Sequence, residues 1–122
     1  MSSQRFGKGR RVRRSAEYQQ AFKAGIRVHG RFFTLVIAPT GRSPVRLGII
    51  ASRKLGDAVT RNRVKRLIRE VFRRTVPPDS PSGADVVVIP RGEALEAAYA
   101  SLEQDFRGAF RRGMSRVDHA RR

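Results

Sequence analysis

Residues 58–73 place Val64, Leu67, Ile68, Val71 and Phe72 at i, i+3, i+4, i+7 and i+8, the spacing that gathers apolar side chains into one stripe of an α-helix. Asp57, just after Gly56, stands at the N-cap position, and the pattern predicts a helix running to about Arg73. Upstream, the β-branched and aromatic run Arg31-Phe32-Phe33-Thr34-Leu35-Val36-Ile37 is parted from a second apolar run, 45–51, by a breaker cluster between Pro39 and Pro44. This arrangement predicts an antiparallel pair of strands, preceded by a short strand near 26–29. Ser15 reads as the N-cap of a short helix over 16–24 that Gly25 ends, with Tyr18 and Phe22 four apart on one face. After a Pro/Ser/Gly loop at 77–83, the run at 84–90 is apolar without alternation, as a strand buried on both faces would be. A last helix over about 94–112 carries Tyr99, Leu102, Phe106, Ala109 and Phe110 at helical spacing. Phe32, Phe33, Phe72, Phe106 and Phe110 are assigned to the core. The order helix, strands, helix, strand, helix predicts a mixed α/β layer structure.

Charge changes the picture from fold to partner. The 122 residues carry 27 Lys+Arg against 10 Asp+Glu, a net charge of +17 that asks for a polyanion. Arginine supplies 23 of those cations, and its planar fork grips phosphate and stacks on bases. The charge divides the chain into a basic flexible tail (1–14), one compact domain (15–113) and a second basic tail (114–122). No apolar stretch approaches the ~18 residues of a spanning helix and no secretory leader is seen, so a cytoplasmic protein without a membrane partner is expected. Without cysteine there is no disulfide framework, thiolate metal site or cysteine nucleophile. His29 and His119 are the only histidines, and near the basic helix lie only Asp57 and Glu70, read as a cap and a solvated helix residue. No protein-borne catalytic site or metal site is evident.

The predicted helix at 58–73 also carries Arg61, Lys65 and Arg69 as an i, i+4, i+8 row, with Asn62, Arg66 and Arg73 beside it and only Glu70 in opposition. Like charges at that spacing cost a few tenths of a kcal/mol per pair, a cost that an anionic partner would remove. The segment Ala51-Ser52-Arg53-Lys54-Leu55-Gly56-Asp57-Ala58-Val59-Thr60-Arg61-Asn62-Arg63-Val64-Lys65-Arg66-Leu67-Ile68-Arg69-Glu70 closely resembles the signature of the protein subunit of bacterial ribonuclease P. Arg11-Val12-Arg13-Arg14 with Tyr18 and Phe22 is similar to that family's opening helix, and Arg46-Leu47-Gly48-Ile49 to its third strand.

The resemblance implies a single compact α+β domain of order αβββαβα with a four-stranded mixed sheet, similar to the second domain of a small-subunit ribosomal protein. It also implies a left-handed crossover, against the usual hand. In function it implies an accessory subunit that pairs with a large catalytic RNA and needs no obligate protein partner. That RNA, with Mg2+ held mainly by the RNA itself, removes the 5′ leader of precursor tRNA. Carried onto this sequence, Arg61, Asn62, Arg63, Lys65, Arg66 and Arg69 resemble the surface that docks on the catalytic RNA. Tyr18, Phe22, Thr34, Val36, Ile50, Arg53 and Lys54 resemble the cleft for the leader, and Arg11, Arg13, Arg14 and Arg46 are auxiliary cations. Val36 and Ile50 depart from the larger or more polar residues found there in some members, so this cleft should stack less and pack more. Composition alone also fits a structural RNA-binding protein such as a small ribosomal protein.

Overall fold

The computed structural model describes residues 11–12, 15–41, 44–77 and 83–120, of which 119 and 120 are described as backbone only. Arg13, Arg14, Arg121, Arg122 and the basic residues before Arg11 lie outside the described residues. The elements run α1 (Ser15–Ala24), β1 (Ile26–His29), β2 (Phe33–Pro39), β3 (Arg46–Ile49), a 3-10 turn (Arg53–Leu55), α2 (Ala58–Thr75), β4 (Ala84–Pro90), a second 3-10 turn (Gly92–Leu95) and α3 (Tyr99–Ala120).

The sheet order is β1-β2-β4-β3. β2 is antiparallel to both β1 and β4, while β3 and β4 are parallel. The antiparallel pairing expected between the 31–37 and 45–51 runs is therefore wrong, because β4 inserts between them. The physical reason lies in β4 itself: Val86, Val87 and Val88 are all fully buried, and a strand apolar on both faces is best used in the middle of a sheet. β3, four residues long with Gly48 inside it, is left at the edge. Its link to β4 contains α2, as parallel neighbours require.

One face of the sheet meets α2 and α3. Phe33, Leu35, Ile37, Val86 and Val88 pack there against Val64, Ile68, Val71 and Phe72 of α2 and Leu102, Phe106 and Ala109 of α3. Phe106 centres this core, edge-on to Phe33 at 6.4 Å and to Phe72 at 6.3 Å and stacked on Phe110 at 5.9 Å. The opposite face carries a smaller cluster of Ala21, Val36, Ala38 and Val87 beneath α1.

Two boundaries differ from the sequence pattern. The last helix starts at Tyr99, since Ala94 belongs to a 3-10 turn, and it continues past Gly113 through Ala120. Residues 114–120 of the expected tail are thus helical, held by Val117, which is 1% exposed in the main core. Gly113 does not end the helix but lets it approach the sheet, for a methyl group there would run into Ile37 and touch Val28 Cγ2 at 3.1 Å. At the other end, Val12 is buried and its N–H donates to the Leu47 carbonyl at 2.8 Å, so this part of the N-terminal tail lies along β3.

Candidate nucleic-acid interface

The basic row depends on α2 starting at a defined residue. Asp57 caps the helix, its Oδ1 accepting from the Thr60 N–H at 2.8 Å. That backbone hydrogen bond, then one from the Thr60 side chain and the charge of Arg61, holds the Asp57 carboxyl below the usual carboxylate range. From this start the apolar stripe faces the core, and Asn62, Arg63, Arg66 and Arg69 are exposed while Arg61 and Lys65 are half-buried. Arg61 Nε is buried without a hydrogen-bond partner among the described residues. Arg63 is turned aside, donating to the Leu95 carbonyl at 3.1 Å. Glu70 is not simply solvated, since both its oxygens accept from Arg73, at 3.2 and 2.6 Å. Lys65 and Arg69 face a cleft of about 320 Å³ that they share with Arg11, Val12, Tyr18 and the β3 residues Leu47, Gly48 and Ile49. Tyr18 can lie over β3 because Gly48 has no Cβ, which would stand 2.8 Å from its ring.

The second surface is the sheet face under α1. Strand register puts Arg27 and His29 of β1, Thr34 and Val36 of β2, and Val87 and Ile89 of β4 on this side. A ten-residue helix is only about 15 Å long, and α1 packs on the Val36, Ala38 and Val87 part of the face. Tyr18, Phe22, Ile50 and Ile89 form the half-buried margin of that cluster. The Arg27 guanidinium lies 5.4 Å from the centre of the Phe22 ring, and Arg53 and Lys54 are exposed on the 3-10 turn that follows β3.

Three residues expected to face RNA do other work. Val36 is 0% exposed and forms the floor of the cluster, a valine being too short to emerge beside Ala21. Thr34 is nearly buried, and its hydroxyl is shared by His29 and Arg91. Arg46 is an internal tie. Its Nε and Nη2 donate to the two Asp85 oxygens at 2.8 and 2.7 Å, and its Nη1 to Glu17 at 2.9 Å. Asp85 first, then Glu17, holds this guanidinium more firmly protonated than usual despite its partial burial.

Arg27, His29, Ile89 and Arg91 were not anticipated on this face. The signal was present as period-two alternation, which puts Arg27 and His29 on one side of β1. The residues beside the basic row do not make a magnesium cage, because Asp57 and Glu70 each stand without further carboxylates and no group of three or more His, Asp or Glu comes together among the described residues. What the two surfaces offer is cations at fixed spacing on α2 and an aromatic, cation-rimmed face on the sheet.

Comparison with known proteins gives a consistent answer. A family model described as Ribonuclease P matches residues 6–113. The ribonuclease P protein component of Halalkalibacterium halodurans is 39% identical over 98 residues, 79% of this chain and 81% of that protein. The one from Clostridium botulinum is 34% identical over 96 residues, 79% of this chain and 86% of the relative. The solved structure of the Staphylococcus aureus RNase P protein superposes with a TM-score of 0.75 at 30% identity, covering 85% of this chain and 94% of that one.

Proposed function

Because this chain belongs to the ribonuclease P protein family, and so is the protein component of a tRNA-processing endoribonuclease whose partner is an RNA subunit, we propose a division of labour between its two surfaces. The α2 row, with Arg61, Asn62, Arg63, Lys65, Arg66 and Arg69, docks on the catalytic RNA. The open part of the α1 face takes the single-stranded 5′ leader of precursor tRNA along Tyr18, Phe22, Ile50, Arg53 and Lys54. The RNA carries out the hydrolysis with its own magnesium ions, and the work is done in the cytoplasm.

The observation that carries this reading is the row Arg61, Lys65, Arg69, none of which makes a contact ion pair among the described residues, the Asp57 carboxylate that feels the Arg61 charge being committed to the helix cap. A phosphate backbone fills that need, releasing counterions as it binds. Aromatic rings beside cations suit unpaired bases without demanding a sequence. Here Phe22, with Arg27 above it, and Tyr18 over Gly48 have that character.

The test is leader cleavage of a precursor tRNA at low and high magnesium, with catalytic RNA alone, protein alone and both. Protein that is inert alone but restores cleavage at low magnesium supports the reading. Cleavage by the RNA that the protein leaves unchanged throughout would replace it with a structural RNA-binding role.

A further inference from the structure

Arg91 and Arg46 are both fixed by side-chain hydrogen bonds, but by partners of opposite kind. Arg46 is neutralised by two carboxylates. Arg91 is held only by neutral groups, its Nη2 lying 3.2 Å from Thr34 Oγ1 and 3.4 Å from His29 Nδ1. Its backbone is fixed as well, the N–H donating to the Phe32 carbonyl at 2.8 Å. Among the described residues no carboxylate pairs with Arg91 or His29.

A guanidinium only donates, so Arg91 Nη2 gives a hydrogen to the Thr34 hydroxyl oxygen at 3.2 Å. His29 Nδ1 stands 3.2 Å from the same hydroxyl and closes the cluster from the other side. Among the described residues no hydrogen bond engages the Nε or Nη1 of Arg91, which is exposed, so the cluster keeps unused donors and an unneutralised positive charge. Thr34 pairs with both His29 and Ile89 across the strands, so the cluster sits on the sheet face read above as the leader path.

We infer that Arg91, positioned by Thr34 and His29, binds one phosphodiester of the leader strand. This inference rests on the leader-path reading. A phosphate supplies both the acceptor oxygens and the negative charge that the cluster lacks, whereas a base edge would supply acceptors alone.

The experiment uses the full chain reconstituted with catalytic RNA, binding leader-bearing precursor tRNA and mature tRNA. Arg91→Ala should lower the preference for the leader-bearing RNA about tenfold, the worth of one charge-assisted contact, and leave mature tRNA binding unchanged. Arg91→Lys should recover part of the loss. Thr34→Val and His29→Ala, which free the guanidinium without removing it, should each give a smaller loss of the same kind. Replacing leader phosphates one at a time by neutral methylphosphonates should weaken the native protein at one linkage and leave Arg91→Ala indifferent there. Native protein indifferent to every linkage, or Arg91→Ala weakening both RNAs alike, overturns the assignment. Phe22→Ala separates the two levels. If it erodes leader preference while Arg91→Ala does not, the phosphate site alone fails, and if neither does, the leader path fails with it.

Discussion

Arg46 shows how a cation that reads as a nucleic-acid contact can be spent inside the protein. Its partner Asp85 has a side chain only 9% exposed, so removing the guanidinium leaves a carboxylate stranded away from water. Arg46→Met should destabilise the fold by about 3 kcal/mol, the lower end for breaking a buried pair, since Arg46 itself is only partly buried. Adding Asp85→Asn should restore a substantial part. Urea unfolding of the two single variants and the double checks this, and additive losses would show that the pair is not coupled. The contrast with Asp57 explains what is legible at this scale. Asp57 and Thr60 are three residues apart, and capping is a local rule that a sequence displays. Arg46 and Asp85 meet only because β3 and β4 pair, and nothing local in either segment announces it. Arg91, just past β4, reaches Thr34 in the same non-local way, whereas His29 and Thr34 are close in sequence and face each other across the β1–β2 hairpin.

At the scale of elements, α2 was readable from end to end, because its cap, apolar stripe and basic row are all carried within one helix. The strands were readable as strands but not as neighbours. The connection between β2 and β3 is short, which suggested a hairpin, and only the two-sided burial of β4 decides that it lies between them. In α3 the difficulty was glycine, which marks helix ends but also close packing. Gly108 and Gly113 separate these uses. A methyl group at Gly108 would meet nothing nearer than Arg112 Nη1 at 3.4 Å, so Gly108→Ala should stabilise by about 0.5–1 kcal/mol through helix propensity alone. Gly113→Ala should instead destabilise by about 1–3 kcal/mol by forcing α3 off Ile37 and Val28. Thermal unfolding of the two variants should move Tm in opposite directions, and a rise for both would mean that α3 is not seated on the sheet at Gly113.

Across the whole molecule, the charge of +17 is divided, in the function proposed above, between two surfaces. Lys65→Ala with Arg69→Ala should weaken assembly with the catalytic RNA even without substrate, and flatten its salt dependence by roughly one unit of slope per lost phosphate contact. Phe22→Ala should leave that slope alone, since an aromatic ring releases no counterions. Titrations of catalytic RNA at several salt concentrations test both statements, and an unchanged slope in the first variant would remove those lysine and arginine side chains from the interface. Charge was the most legible property of the sequence, though net charge does not say which cations are free. The order of the strands has a consequence in time. β4 is the last strand to be synthesised, yet it occupies an interior place in the sheet, bonded to β2 on one side and β3 on the other. Until Pro90 has left the ribosome, the nascent chain can form a hairpin of β1 and β2 and a helix, but β3 lacks its strand partner β4 and has beside it only the short bridge from Arg11 and Val12 to Leu47. Pairings such as Thr34 with Ile89 close long loops, which slows folding. Synthesis and sheet assembly therefore run in different orders, and the arrival of one late strand converts separate pieces into a cooperative whole.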